Sequence, residues 1–152
     1  MADRGRVLIV EGRFYEEILD QLVEGAMAEL DKAGVSYDRV SVPGAFEIPV
    51  AIAMAEASNQ PYEGYVALGC VIRGETSHYD YICQESARKL MDLAAERALP
   101  LGYGILTVEN EAQAWMRVRD KNKGGDVAKA CLHMMELQGR FLMPIEERGF
   151  SP

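Results

Sequence analysis

The chain has 152 residues, with 16 basic and 24 acidic side chains and a formal net charge of −8. That length suits one domain over residues 1–152, whose single core would bury roughly two-thirds of the surface of the unfolded chain. The acidic balance excludes a general nucleic-acid binder, which presents a basic face, and no run reaches the roughly 20 apolar residues of a membrane span.

The apolar run Arg6 to Val10 reads as a buried strand, too short for the core of a signal peptide, and a cytoplasmic location is expected. Ile18, Leu19, Leu22, Val23, Ala26, Leu30 and Ala33 then recur at helical spacing, with Gly34 as the stop. Val35 to Val42 alternates as a second strand, and Pro43-Gly44 breaks it. Glu47 to Ser58 reads as a helix that starts around Pro49, and Gly64 to Val71 as a third strand. The polar loop Arg73 to Ser77 leads into a helix from about His78 to Ala98, which Pro100 ends. Leu101 to Thr107 is the fourth strand, followed by a short helix around Gln113 to Val118 and a last one from about Gly125 to Phe141. Strands alternating with helices of this length imply a four-stranded parallel sheet covered on both faces, a three-layer α/β/α sandwich of flavodoxin-like class. Ligands of such sheets bind beyond the carboxyl ends of the strands.

The residues expected at those ends carry most of the unusual chemistry. In Arg73-Gly74-Glu75-Thr76-Ser77-His78, a glycine, two hydroxyls and a helix start follow a strand, an arrangement whose free N–H groups can hold an anion. Thr76 or Ser77 can equally cap the helix, and Ser77 suits that role. His78 stands at the rim, where an imidazole can give and accept protons near neutrality, or be an ordinary surface histidine. His133, among Cys131, Leu132 and Met134, reads as a packing residue. Phe14 and Tyr103 can stack on a flat heterocycle or pack in the core. Glu47 can accept from ligand hydroxyls or favour its helix start. Arg117, Arg119, Lys121 and Lys123 form a basic cluster in an acidic chain, either a solvated face or the counter-charge for a phosphate. Lys123-Gly124-Gly125 lacks Walker spacing, and no GxGxxG is present. Cys70, Cys83 and Cys131 form no CxxC pair or metal-ligand cluster, so reduced thiols and no metal are expected.

Several stretches in order along nearly the whole chain resemble the lumazine synthase family. They are Gly12-Arg13-Phe14, Val42 to Pro49 (VPGAFEIP), Ala67 to Tyr81 (ALGCVIRGETSHYDY), Gly104 to Thr107, Glu109 to Ala114 and Asn122-Lys123-Gly124. The resemblance implies condensation of a ribitylamino-pyrimidinedione with a four-carbon ketone phosphate, without metal or coenzyme. It implies that Phe14 stacks on the pyrimidinedione, that Ala45, Phe46 and Glu47 bind the ring and its ribityl chain, and that Cys70, Val71 and Ile72 contact the ring through backbone groups. Tyr103 would close the pocket. Glu75, through its backbone N–H, would hold the phosphate with Thr76 and Arg117; Lys123 would be a further cation, and His78 the acid/base group. It also implies sites shared between the subunits of a homopentamer. Two departures stand out: Tyr15 follows Phe14 where asparagine is common, and Arg117 to Lys123 lacks the glycine-bearing kink of capsid-forming members. A free pentamer or a pair of pentamers is therefore expected rather than a sixty-subunit shell.

Two other functions compete. A non-catalytic flavin or lumazine binder would use the same stacking pocket but would have no need of a phosphate site beside His78. A flavodoxin-like electron carrier would need a hydroxyl-rich loop after the first strand, which Glu11 to Glu16 (EGRFYE) does not supply.

Overall fold

A computed structural model describes residues 5–151. Four strands, β1 (Arg6–Gly12), β2 (Ser36–Val42), β3 (Gly64–Ile72) and β4 (Leu101–Val108), form one parallel sheet in the order β2-β1-β3-β4. The helices are α1 (Glu16–Ala33), α2 (Ile48–Glu56), α3 (His78–Arg97), α4 (Glu111–Arg119) and α5 (Lys123–Phe141).

Alternation along the strands divides the core in two. Val7 and Ile9 of β1, Val66 and Leu68 of β3 and Leu106 of β4 pack against α1, α4 and α5. Leu8 and Val10, Tyr65 and Ala67, and Ile105 face the other way, onto α2 and α3. The sheet is thus the middle of three layers, as the sequence pattern predicts. Successive side chains of a strand point to opposite faces, so an unbroken apolar run is the mark of a strand covered twice. β2 is different: as an edge strand it pairs only with β1, and most of it is exposed.

The helix boundaries have local causes. Gly34 ends α1 in the left-handed region (φ 70°), where its N–H reaches the carbonyls of Leu30 and Asp31. Pro49 stands in the first turn of α2, where a missing N–H costs nothing. The short helix predicted around Gln113 starts two residues earlier, because the Asn110 side chain accepts from the Gln113 N–H at 3.0 Å. The last helix also starts two residues early, at Lys123: Asn122 adopts a positive φ of 44° and accepts from Gly125 N–H at 3.3 Å.

β1 and β3 are neighbours, yet the chain leaves β1 for β2 on one side and β3 for β4 on the other. That reversal opens a crevice beyond their carboxyl ends, where sheets of this kind bind ligands.

Candidate functional site

A cavity of about 720 Å³ occupies this crevice. Its size suits a small molecule. Each wall grows from a strand end. After β1 come Phe14 and Tyr15, and after β2 come Pro43 to Glu47. β3 supplies Cys70, Val71 and Ile72, and the turn into α3 supplies Gly74, Thr76 and His78.

The Phe14 ring is 73% exposed. It stands at 74° to the Tyr15 ring with centroids 4.9 Å apart, an edge-on pairing that holds it upright. Tyr15 packs against the α1-side core, so the exposed ring has an anchored neighbour. Burial raises the Tyr15 phenol above its ordinary value, helped by Cys70 and Glu111, and it remains a neutral group. Gly12 is required here for closeness: a Cβ would lie 2.8 Å from the carbonyl carbon of Gly44. The loops after β1 and β2 can therefore meet backbone to backbone. A 3-10 turn over Ala45–Glu47 then directs Phe46 outward and Ala45 into the core.

Burial pushes the Cys70 thiol up to about 12, with Glu111 adding to the effect. A thiol held in that form is neither nucleophile nor metal ligand at neutral pH. Cys70 therefore offers the cavity its main chain and bulk, not its sulfur chemistry.

The turn after β3 is solvent-exposed from Arg73 through His78. Ser77, expected as the helix cap, makes no side-chain cap bond, because its backbone is already helical (φ −72°, ψ −1°). Thr76 does so instead: its Oγ1 accepts from the His78 N–H at 3.3 Å. The hydroxyl read as a phosphate donor is also the one that steadies the first residue of α3.

The structure brings Phe14, Ala45, Phe46, Glu47, Cys70, Val71, Ile72, Thr76 and His78 around one cavity. It does not bring Tyr103, Glu75, Arg117 or Lys123 to that wall. Glu75 is in the same turn, with an exposed side chain. Tyr103 is on β4, 40% exposed. Arg117, in α4, donates to the Gln113 carbonyl at 3.0 Å, and Lys123 opens α5. Sequence reasoning did not assign Tyr79, Tyr81 and Ile82, which line the cavity with His78. For Tyr81 and Ile82 the signal was helical periodicity, since i, i+3 and i+4 from His78 share one face. Among the described residues no group of His, Cys, Asp and Glu could hold a metal ion, and no helix is long and apolar enough to cross a membrane.

Comparison with known proteins matches this sequence to a family. The sequence model described as 6,7-dimethyl-8-ribityllumazine synthase matches residues 4–139. A protein of that name from Bartonella tribocorum is 57% identical over 143 residues, covering 93% of this chain and 95% of the relative. One from Nitrobacter hamburgensis is 57% identical over 141 residues, covering 89% and 86%. A third, "6,7-dimethyl-8-ribityllumazine synthase 1" of Rhodopseudomonas palustris, is 54% identical over 141 residues, again covering 89% and 86%. Similarity of that extent takes in every strand end that lines the cavity, and the chain belongs to the 6,7-dimethyl-8-ribityllumazine synthase family.

Proposed function

We propose that the chain, as a single domain over residues 1–152, carries out its family's reaction in riboflavin biosynthesis in the cytoplasm. The reaction condenses 5-amino-6-(D-ribitylamino)uracil with 3,4-dihydroxy-2-butanone 4-phosphate to give 6,7-dimethyl-8-ribityllumazine, phosphate and water. The observation that carries this reading is one cavity lined both by an aromatic platform and by a hydroxyl-bearing turn with a histidine.

The flat pyrimidinedione stacks on Phe14, with Ala45 and Phe46 beside it, the backbone of Cys70, Val71 and Ile72 along its edge, and Glu47 accepting from the ribityl hydroxyls. Thr76 Oγ1 and the Glu75 N–H hold the phosphate; the Glu75 carboxylate, which would repel it, stays in solvent. The ring amine attacks the ketone carbon, and water leaves as the imine forms. Elimination breaks the C–O bond to phosphate. The second amine then closes the ring with loss of another water. Every step moves protons between nitrogen, carbon and oxygen, and His78 is the group at hand to take and return them. Holding both substrates in one cavity supplies the rest, by turning a bimolecular encounter into a local one.

Among the described residues that line the cavity of one chain there is no lysine or arginine. Arg117 and Lys123, with Tyr103 as lid, serve the site from a neighbouring copy in a homopentamer, alone or paired with a second pentamer. Exposed apolar side chains on the α2 and α3 side (Phe46, Val50, Met54, Tyr81 and Met91) support such contacts between copies.

The test follows lumazine fluorescence and phosphate release from purified protein, with the uncatalysed condensation subtracted. Turnover above background is expected, falling on the order of a hundredfold in His78→Ala with little change in substrate affinity. Arg117→Ala should raise KM for the ketone phosphate alone by about tenfold or more. Background rates at saturating substrates would instead mean a non-catalytic lumazine binder.

A further inference from the structure

The turn that presents Thr76 and His78 has little to fix it. Residues 74–78 are all exposed, and a Cβ on Gly74 would meet nothing within 4 Å. No core packing sets its shape. Yet proton transfer needs an imidazole held to within a fraction of an ångström, and a misplacement of about 1 Å can cost a hundredfold in rate.

One side chain closes the turn. Arg73 begins it, and its guanidinium lies over the ring of Tyr79, 4.3 Å from the centroid. Its Nη1 is 3.3 Å from Asp80, also in the first turn of α3. Its Nε donates to Glu109 at 2.7 Å, and its backbone N–H donates to the Val108 carbonyl at 2.9 Å. The residue before the turn is thus bound to the two residues after it and to the end of β4.

We infer that Arg73 is a positioning residue, a staple that holds the 74–78 turn and thereby aims Thr76 and His78 into the cavity. The inference rests on the proposed roles of those two residues. Arg73 is the cation nearest that turn in sequence, but two carboxylates and a ring already engage its fork. It works on the protein, not on the phosphate. The guanidinium plane matters as much as the charge, because an ammonium can neither stack flat on Tyr79 nor bond in two directions in one plane.

The experiment compares Arg73→Ala, Arg73→Lys and Glu109→Gln with His78→Ala in the intact assembly, reading kcat, both KM values and backbone hydrogen exchange. Arg73→Ala should lower kcat about tenfold or more with KM for the pyrimidinedione unchanged. Exchange should quicken in residues 74–80, while the β1 and β3 amides stay protected. Arg73→Lys should recover only part of the loss, and Glu109→Gln, which spares the Tyr79 stack, should fall between it and wild type. An unchanged kcat, or a rise in the ketone phosphate KM alone, would overturn the inference, the latter by making Arg73 a phosphate ligand. Quickened exchange across the whole sheet would overturn it too, by making Arg73 a general stabiliser. Normal turnover in His78→Ala would refute the site reading instead; the exchange data on residues 74–80 would still judge the staple.

Discussion

Two turns flank the cavity, and each is tied by arginine, but in opposite solvents. After β1, Glu11 is only 2% exposed. Arg13 Nε meets it at 2.7 Å, and Arg39 forks onto both of its oxygens at 2.7 and 3.1 Å. Arg13 also reaches Asp20 at 2.9 Å, so the pair is locked to the first turns of α1. After β3, the carboxylates that hold Arg73 are each 58% exposed. Both partners of the second set stand in water, whereas in the first the carboxylate is buried although Arg39 is 44% exposed, so similar distances carry different energies. The first tie secures the fold beneath Phe14; the second adds little to stability and acts on the geometry of a turn.

The comparison fails first if the buried tie proves dispensable. The Arg13→Ala/Arg39→Ala double variant strips Glu11 of its partners and should lose about 3 kcal/mol in denaturant unfolding, the low end for breaking a buried pair because Arg39 is 44% exposed and its truncation admits water. A loss below about 1 kcal/mol would place Glu11 in the screened class. Gly12→Ala, at the close approach to Gly44, should cost about 1–3 kcal/mol in the same measurement through backbone displacement. It should also weaken pyrimidinedione binding, since the loop that shifts carries Phe14. Gly74→Ala sharpens the contrast from the other side. With open space around it and no positive φ, it should stay within about 0.5 kcal/mol of wild type. A large loss there would mean that the β3 turn is packed more tightly than its exposure implies.

Much of this layout is legible in the sequence, for a definite reason. Continuous apolar runs such as Val7 to Val10 and Tyr65 to Leu68 mark strands buried on both faces, and Ile18 to Leu30 shows the helical period of α1. The wall of the cavity was legible because its residues sit at strand ends, which topology alone gathers together. What stayed hidden depends on contacts between distant segments. Glu11 ends an apolar run and reads as the place where a strand reaches solvent; its burial depends on Arg39, 28 residues away. Ser77 reads as the better cap in the sequence, and only the backbone angles show why Thr76 makes the bond instead. The early start of α5 depends on Asn122 entering the left-handed region, a choice that no periodicity records. The Arg73 staple depends on Glu109, which β4 brings alongside.

The sheet order also governs how the protein comes into being. Synthesis delivers β1, α1 and β2 first, and these can pair at once, Arg6 with Ser36 through Gly12 with Val42. The other edge of β1 must wait for Gly64 to Leu68, and parallel pairing across such a span closes a long loop before any ladder bond rewards it. Until then Ile9 and Val10 have an open edge, the kind of surface on which nascent chains aggregate. The crevice comes into existence in the same event that covers that edge. A chain halted before β3 therefore lacks the binding site entirely, and assembly of the site is a direct report that the sheet has closed.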